Sequence, residues 1–466
     1  MSNNNSIAIT VSDEEPDELG RMRVRVKRKR KKIRSSGNGK LSWLCIKFLL
    51  KNWLFVVLLF AAGLLWFEAS KLGLEGKKPT VVKTNSVPLE KKISVKNLDR
   101  LDPTTHVVRG VRERCLKILP AEEIQLLEIP SRTNLDGSVR NLMYMTGMKP
   151  QQMRVSSNLT REEAETSRFN LFTGYQNFEQ REQSFKVNES TNIHCGFYNE
   201  EGGFRISDAD RTFMKTCIIV VATCAFGGGD NLYQPIGMTE ASLKKVCYVA
   251  FWDNVTLSVQ ESAGNKMNDD HFIGKWRIIV VHDLPFSDQR LNGKIPKMLG
   301  HRLFSQAQYS IWVDSKSQFR RDPVGVLEAL LWRFNSAIAI SEHGARSSLY
   351  DEAKAVVSKH KATPEEVEVQ LSQYRRDGMP SDKKLNGKKA LNEASIIVRE
   401  HSPVTNLLMC VWFNEAVRFT SRDQLSFPYV LWRLKEPKNI NMFPVCARKD
   451  MVNSIGHVRK ARPLAI

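Results

Sequence analysis

The sequence predicts an α/β protein in which a largely parallel sheet with flanking helices follows a single transmembrane helix. Two observations lead to this fold class. First, fifteen consecutive residues without a polar or charged side chain, Trp53 to Phe67, follow a strongly basic segment. Second, short apolar runs alternate with helical patterns from Cys195 onward. Strands that alternate with helices indicate crossover connections and a parallel sheet.

The apolar segment also predicts the topology. Together with residues 48–50 it approaches the roughly 20 residues needed to span a hydrocarbon core. Residues 21–34 contain ten Lys or Arg, and basic residues stay on the cytosolic side. We therefore predict a disordered cytosolic tail at 1–42 and a signal anchor at 43–67. Cleavage as a signal peptide is disfavoured, because large residues rather than small ones end the run.

The remaining chain divides into three predicted parts. Residues 68–102 are rich in Lys and Pro and lack periodicity, which is typical of an extended lumenal stem. Residues 103–190 are predicted to form an accessory region with short amphipathic patches. Residues 191–466 are predicted to form a catalytic-type α/β domain.

Charge and cysteine content restrict the partners and the compartment. The formal net charge is +20, and the excess after the anchor suits anionic partners such as nucleotide diphosphates, phospholipid headgroups or acidic polysaccharide. Nucleic acid is not an expected partner, because the basic cluster beside the anchor is explained by membrane orientation. Seven cysteines follow the anchor, so at least one cannot pair within the chain. Glycosylation sequons occur at Asn158, Asn188 and Asn254.

Apolar runs and amphipathic patterns place the elements of the α/β domain. The runs predicted as buried strands are 217–222, 247–251, 276–281, 309–313, 337–340 and 395–398. The patterns predicted as helices are 324–334, 349–360, 365–374 and 404–419.

Ligands in open α/β sheets bind beyond the carboxyl ends of the strands, so the residues after each run are the site candidates. The first run leads into Gly227, Gly228 and Gly229. Their backbone N–H groups are predicted to bind a phosphate or a sugar. The segment matches neither a P-loop nor a dinucleotide fingerprint, and a tight turn explains the glycines equally well.

Three further runs end in acidic residues. The second ends in Asp253, the third in His282 and Asp283, and the fourth in Asp314, with Lys316 two residues later. We predict catalytic roles for His282, Asp283 and Asp314, and substrate binding by Asp253 and Lys316. A carboxylate at the end of an apolar strand resembles the arrangement in nucleotide-sugar transferases of the GT-A type, where oxygen ligands hold magnesium or manganese.

Asp314 is the leading candidate for a metal ligand, with a divalent cation as the candidate cofactor. Transferases of this kind usually carry Asp-x-Asp, whereas this chain has Lys316 in place of the second acid, and a charged lysine does not ligate a cation. Either Asp314 holds the cation with other ligands, or Lys316 neutralises the diphosphate and no metal is required. A third interpretation is that Asp314 only caps a turn.

Polar residues farther along complete the predicted site. His343 and Arg346 follow the fifth run and are predicted to supply a base and a phosphate clamp, although capping of a helix explains them as well. Glu393 and Asp423 are predicted to act as carboxylates that contact an acceptor hydroxyl.

Five segments, 217–238, 282–285, 309–321, 391–401 and 422–432, resemble a plant Golgi family that includes a turgor-related alkaline ceramidase and mucilage-related hexosyltransferases. The run WVDSKSQFRRDP is among the most specific parts of this resemblance. The length and the short stem are most similar to the ceramidase member. The resemblance implies a single-pass type II protein of the Golgi membrane that hydrolyses ceramide to sphingoid base and fatty acid, with a role in turgor regulation of guard cells and pollen tubes.

Three hypotheses follow. The first, from the resemblance, is a ceramidase with a lipid substrate. The second, which the residues alone favour, is a hexosyltransferase that uses a nucleotide sugar and acts on cell-wall polysaccharide or glycolipid in the Golgi lumen. The third is a non-catalytic Golgi scaffold. The sequence contains neither HExxH nor GxSxG, so it shows neither of these two hydrolase motifs.

Overall fold

The computed structural model describes residues 115–130, 139–147, 168–380, 384–385, 388–389, 391–435, 437, 439–457, 459 and 461–463. The predicted tail (1–42), anchor (43–67) and stem (68–102), and the sequon at Asn158, lie outside these residues. Within the described ranges, no helix combines the length and apolar character needed to cross a bilayer.

A central eight-stranded sheet confirms the predicted α/β class with a largely parallel sheet. Its strand order is β13-β9-β12-β7-β3-β4-β6-β5. Six strands run in one direction, while β5 and β12 are antiparallel to their neighbours. The strands are β3 (Ile219–Ala225), β4 (Val246–Trp252), β5 (Phe272–Ile273), β6 (Trp276–Val280), β7 (Tyr309–Val313), β9 (Ile338–Glu342), β12 (Asn392–Glu400) and β13 (Ile440–Phe443).

The six predicted strands all form, and they form where the sequence has continuous apolar runs. β3 and β7 are buried along their whole length, because apolar side chains on both faces pack under helices. The structure differs from the expected parallel arrangement at β12, which runs antiparallel between β7 and β9. An apolar run buried on both faces has the same composition in either direction, so the pattern alone does not predict the orientation of β12.

Helices cover both faces of this sheet and enclose two apolar clusters, one on each side. Aspartate side chains cap several helix starts, as Asp288 does for α6 by accepting the N–H of Arg290. The helices are α1 (Ala121–Leu126), α2 (Phe178–Ser184), α3 (Asp208–Thr216), α4 (Glu240–Lys245), α5 (Asn254–Ser262), α6 (Gln289–Met298), α7 (Gly300–Leu303), α8 (Pro323–Leu330), α9 (Leu349–Ser358), α10 (Pro364–Arg376), α11 (Pro403–Arg418), α12 (Asp423–Leu434) and α13 (Val445–Met451), with short 3-10 turns at Glu200–Gly202 and Trp332–Phe334.

Three small strand pairs complete the described fold. They are β1 (Asn141–Tyr144) with β2 (Ser190–Ile193), β8 (Ser317–Phe319) with β14 (Val452–Ser454), and β10 (Lys384–Leu385) with β11 (Lys388–Lys389). The β8–β14 pair matters for the site, because it returns the end of the chain to the segment that follows Asp314.

Three disulfides link distant parts of the described chain. They join Cys115 to Cys446, Cys195 to Cys410 and Cys217 to Cys247. Cys224 is buried and remains a thiol, in agreement with the odd number of cysteines after the predicted anchor. The first disulfide fixes part of the predicted accessory region to the α/β domain.

Candidate active site

One pocket opens at the carboxyl edge of the central sheet, and we call it the lysine–carboxylate pocket. It is lined by the ends of β3 and β7 and the loops after them, the start of β12, one side of α6 and the start of α12. Residues 457, 459 and 461 of the C-terminal segment also line it. Its empty volume, including the open mouth, is about 950 Å³. Its lining residues are Cys224, Ala225, Phe226, Gly229, Asp230, Gln289, Arg290, Gly293, Lys294, Lys297, Trp312, Asp314, Ser315, Lys316, Glu393, Arg422, Asp423, Gln424, His457, Arg459 and Ala461.

Asp314 lies in this pocket immediately after β7. Its Oδ1 accepts a hydrogen bond of 2.7 Å from the indole Nε1 of Trp312 and lies 3.4 Å from Nζ of Lys297. Its backbone N–H donates to the carbonyl oxygen of Ser395 on β12 at 2.9 Å. Tryptophan, lysine and sheet backbone therefore fix the orientation of this carboxylate.

Two lysines on α6 converge on a single acid. Lys294 and Lys297 donate to the same oxygen of Asp423, Oδ2, at 3.0 and 2.8 Å. Burial opposes ionisation of Asp423, but the two ammonium groups outweigh it and hold the pKa of this carboxyl well below its usual range. Burial likewise opposes the charge of Lys297, yet Asp314 and Asp423 raise the pKa of its ammonium above the usual value. Asp423 and Lys297 are therefore both charged at neutral pH.

Asp230 connects the loop after β3 to the other walls of the pocket. Its carboxylate accepts a hydrogen bond from Oγ of Ser315 at 2.9 Å and lies 2.7 Å from Nδ1 of His457. In the same C-terminal segment, Nε of Arg459 donates to the carbonyl oxygen of Gly229 at 3.1 Å. The end of the chain thus forms a wall of the pocket through polar contacts.

Glu393 lies near the start of β12, beside a register shift relative to β9. Such irregularities redirect side chains at the rim of a sheet. Its Oε2 accepts a long hydrogen bond of 3.3 Å from Nε2 of Gln424. Among the four carboxylates that line the pocket in the described residues, Glu393 is therefore the least engaged.

The glycine loop differs from the prediction that its N–H groups bind a ligand. The N–H of Gly227 donates to Oδ2 of Asp253 at 2.9 Å, and the N–H of Gly228 donates to Oγ1 of Thr256 at 3.0 Å. Only Gly229 of the three lines the pocket. Asp253 also accepts the N–H of Thr256 and caps α5, so this buried acid holds the loop rather than lining the pocket.

Gly227 is expected to tolerate alanine poorly. Its φ is +67°, and an added Cβ would lie 2.3 Å from the carbonyl oxygen of Arg462. We expect Gly227→Ala to lower the free energy of unfolding by about 1–2 kcal/mol from backbone strain alone, and further because segment 455–463 must move. Chemical denaturation measures the loss, and limited trypsin digestion after Arg459 measures the release of the segment.

Gly264→Ala is the matched control for this prediction. Its φ is +90°, but nothing lies within 4 Å of the added Cβ. This variant should show the strain without the release of the C-terminal segment. Equal digestion rates in the two alanine variants would contradict the expected role of Gly227.

The predicted pair His282 and Asp283 lies outside the lysine–carboxylate pocket. Both line a second depression together with Asp253 and Asn254, and Asp283 forms an ion pair with Arg205. The backbone of His282 bridges to Arg205, and β6, the strand that leads to His282, is separated from β7 by β3 and β4. These two residues therefore do not converge with Asp314.

His343 and Arg346 also lie outside the pocket, in a turn before α9. Nδ1 of His343 accepts the backbone N–H groups of Ala345 and Arg346 at 3.2 and 2.9 Å. The guanidinium of Arg346 pairs with the buried Glu352. His343 therefore caps backbone amides of the turn itself, whereas Ser348 caps α9.

The described sequon residues are accessible. Asn188 and Asn254 are both exposed, so their glycosylation stays a prediction that the fold permits. Asn254 is the first residue of α5, and its amide lies 3.4 Å from Nδ1 of His282.

Two features of the described residues argue against an amide hydrolase that uses a cysteine nucleophile or a bound zinc. Burial, reinforced by the nearby Asp314, raises the pKa of the Cys224 thiol, so the one cysteine of the pocket stays protonated and is a poor nucleophile. The one group of three potential metal ligands found in these ranges is Cys195, His301 and Cys410. Its two cysteines form a disulfide, and a disulfide sulfur does not carry the thiolate charge that zinc binds.

Several pocket residues carry no signal in the sequence. Lys294 and Lys297 belong to a helix that contains Pro296, and interior prolines argue against helices. His457 and Arg459 follow no apolar run and reach the pocket through the β8–β14 pair. Asp230 is the exception, because it directly follows the three glycines after an apolar run. An acid at that position could have been predicted as a site residue.

Comparisons with known proteins identify the family of this chain. Residues 155–457 match the model of the TOD1/MUCI70, glycosyltransferase-like domain. The chain is 38% identical over 295 residues to the Arabidopsis thaliana protein named "Probable hexosyltransferase MUCI70", an alignment that covers 60% of this chain and 50% of the relative. It is 32% identical over 278 residues to "Alkaline ceramidase TOD1" of Arabidopsis thaliana, covering 58% of this chain and 60% of the relative. The chain thus spans about half the length of one relative and three fifths of the other.

Solved structures show weaker likeness. Mouse xyloside xylosyltransferase 1 matches with a TM-score of 0.29 and 10% identity over 48% of this chain and 85% of that protein. The bifunctional glycosyltransferase WbbM matches with a TM-score of 0.28 and 12% identity over 49% of this chain and 39% of that protein. Scores this low add nothing to the assignment.

These findings confirm the resemblance seen in the sequence and correct the activity inferred from it. The expectation of a ceramidase that hydrolyses ceramide is wrong. The family model describes a glycosyltransferase-like domain, and the relative named as a hexosyltransferase is the more similar of the two. The chain belongs to the TOD1/MUCI70 glycosyltransferase-like domain family.

Proposed function

We propose that this chain is a hexosyltransferase of the GT-A type that takes its sugar from a nucleotide sugar and transfers it to a glycan acceptor. The observation that carries the proposal is the convergence of Asp314, Glu393 and Asp423 with three lysines in one pocket at the carboxyl edge of the sheet. Ligands of open α/β sheets bind at this edge.

The charge of the pocket fits a nucleoside diphosphate. Its lining comprises four carboxylates and six Lys or Arg side chains, so its formal charge is +2 with His457 neutral. Excess positive charge in the pocket favours the binding of an anion and its release as a leaving group. The four carboxylates can accept hydrogen bonds from sugar hydroxyls.

Glu393 is the residue that we assign to the acceptor. In the proposed step, Glu393 takes the proton from an acceptor hydroxyl while that oxygen attacks the anomeric carbon of the donor sugar. The bond from the anomeric carbon to the diphosphate breaks, and the nucleoside diphosphate leaves with the bonding electron pair. Asp423 is unsuited to this role, because its two lysines keep its pKa low.

The location of this activity is also proposed. Three disulfides in the described chain fit an oxidising compartment. Together with the basic tail and apolar segment of the sequence, they support a single-pass type II protein of the Golgi membrane, with cell-wall polysaccharide or glycolipid as acceptor.

A turnover assay tests the proposed function. Full-length protein in detergent micelles is incubated with UDP- and GDP-sugars and with glycan acceptors, and nucleoside diphosphate release is measured. We expect turnover of at least one donor and a loss of about 10²-fold or more in Asp314→Asn, because a preorganised carboxylate is lost from the pocket.

The exposed Asp269→Asn is the matched control and should retain full activity. Wild-type protein that turns over no nucleotide sugar would favour a non-catalytic scaffold. An Asp314→Asn variant as active as the wild type would place the chemistry elsewhere.

A further inference from the structure

The acids that would hold a divalent cation in the lysine–carboxylate pocket already have cationic partners. Asp314 lies 3.4 Å from Nζ of Lys297. Asp423 binds Lys297 and Lys294 at 2.8 and 3.0 Å. Carboxylate oxygens beside ammonium groups are poor ligands for Mg²⁺ or Mn²⁺, because the positive charge of the ammonium group repels the metal cation.

The surrounding residues do not supply a replacement set of ligands. Lys316 stands where an Asp-x-Asp motif would place its second acid. In the described residues of the pocket, no three His, Cys, Asp or Glu side chains bring their ligand atoms within 4.8 Å of one another. Because Asp314 and Asp423 are already paired with ammonium groups, the residues of this pocket do not fit a divalent cation.

The lysines, in contrast, retain capacity for a ligand. An ammonium group carries three hydrogen-bond donors. In the described structure, Lys297 directs donors to Asp314 and Asp423, and Lys294 directs one to Asp423. Three donors of this pair therefore remain for an anion.

The shared acid also fixes the spacing of the two ammonium groups. Because both lie on Oδ2 of Asp423, their Nζ atoms are separated by no more than the sum of the 3.0 and 2.8 Å distances. Two positive charges held this close can contact neighbouring phosphoryl groups of one diphosphate. Both lysine side chains are almost fully buried, so little of their binding strength is lost to screening by salt.

We propose that the pocket binds the diphosphate of its donor through Lys294, Lys297 and Lys316, without a divalent cation. This inference rests on the proposed function and specifies its cofactor requirement. The positive charge that a metal supplies in other transferases comes here from the protein. Asp423 acts as a positioning residue that keeps the two α6 ammonium groups together.

Nucleoside diphosphate binding tests the inference. UDP and GDP are titrated by calorimetry into full-length protein in micelles, once after treatment with EDTA and desalting and once with MnCl2 or MgCl2. For the diphosphate that binds, we expect dissociation constants that agree within about threefold. Lys297→Met should weaken binding about 10- to 100-fold, as expected for loss of a charge-assisted hydrogen bond.

Two further variants keep the test decisive. Lys316→Met changes a half-buried lysine at the pocket rim, so it serves if Lys297→Met fails to fold, and it should weaken binding as well. Lys354→Met changes an exposed lysine on α9 and should leave binding unchanged.

Each contrary outcome has a distinct meaning. Binding that falls more than tenfold after EDTA and returns with Mn²⁺ would overturn the inference but leave the transferase intact. Unaltered binding in folded lysine variants would overturn the assignment of the lysines. No binding of either diphosphate, with or without cation, would overturn both this inference and the proposed function.

Discussion

Glu393→Gln is expected to lower the turnover number of the proposed transferase about 10²- to 10⁴-fold, the range of a lost general base. Glutamine keeps the size of the side chain and the contact to Gln424 but does not accept a proton. Donor binding should stay within about threefold of the wild-type value, because the three lysines are unchanged. Steady-state kinetics together with nucleoside diphosphate titration measure the two effects.

Glu342→Gln is the matched control for Glu393→Gln. Glu342 lies at the same edge of the sheet, at the end of the neighbouring strand β9, but does not line the pocket. Its variant should be fully active. If Glu393→Gln lost donor affinity and turnover in equal measure, Glu393 would be a binding residue, and if it stayed active another group would be the base.

The strands of this protein are predictable from sequence because each is buried on both faces. The run Tyr309–Val313 has all five residues buried and forms β7 with the predicted bounds. The direction of β12 was not predictable, because orientation depends on how the chain returns and not on composition. Because β12 runs antiparallel to β7, its first residues, including Glu393, lie at the same edge of the sheet as Asp314. The position of Glu393 in the site therefore depends on a strand direction that the sequence did not predict.

Two helices that build the site were missed for a common reason. Pro296 lies inside α6 and Pro428 inside α12, and proline in a helix interior costs about 3 kcal/mol. Tertiary packing outweighs this cost, since nearly all residues of both helices are buried.

The predicted site residues fall into those that line the lysine–carboxylate pocket and those that lie elsewhere. Asp314, Lys316, Glu393, Asp423 and Gly229 line one pocket. His282, Asp283, His343 and Arg346 follow other strands and lie in other environments. Position after an apolar strand brings a residue to the correct edge of the sheet, but it does not determine which loops meet there.

Arg181 is at the centre of a buried ionic network between several helices. One of these helices is α12, whose first residues line the pocket. Its Nε and Nη2 atoms bind the carboxylate of Glu415 at 2.6 and 3.2 Å, and its Nη1 lies 3.0 Å from Asp377. The hydroxyl of Tyr429 accepts from Arg181 at 2.8 Å and donates to Asp377 at 2.5 Å. The network joins α2, the end of α10, α11 and α12.

Arg181→Met is therefore expected to lower the free energy of unfolding by about 3–5 kcal/mol, the cost of leaving a buried charge without its partner. The side chains of Arg181 and Glu415 are each only 2% exposed, so water cannot replace the guanidinium. Burial alone would lower the pKa of Arg181, but Glu415 outweighs it and raises that pKa above its usual value. Denaturant unfolding monitored by tryptophan fluorescence measures the loss.

A second substitution separates the lost ion pair from lost packing. In Arg181→Met with Glu415→Leu, both principal charges are gone, and replacing a buried pair by apolar residues is often nearly neutral. We expect the double variant to recover part of the stability that the single variant loses, because Asp377 still lacks its cationic partner. The exposed Arg211→Met, whose guanidinium lies 4.0 Å from Asp208, should change stability by less than about 0.5 kcal/mol. A double variant no more stable than Arg181→Met would show that packing of the arginine side chain, and not its charge, holds α2 against α11.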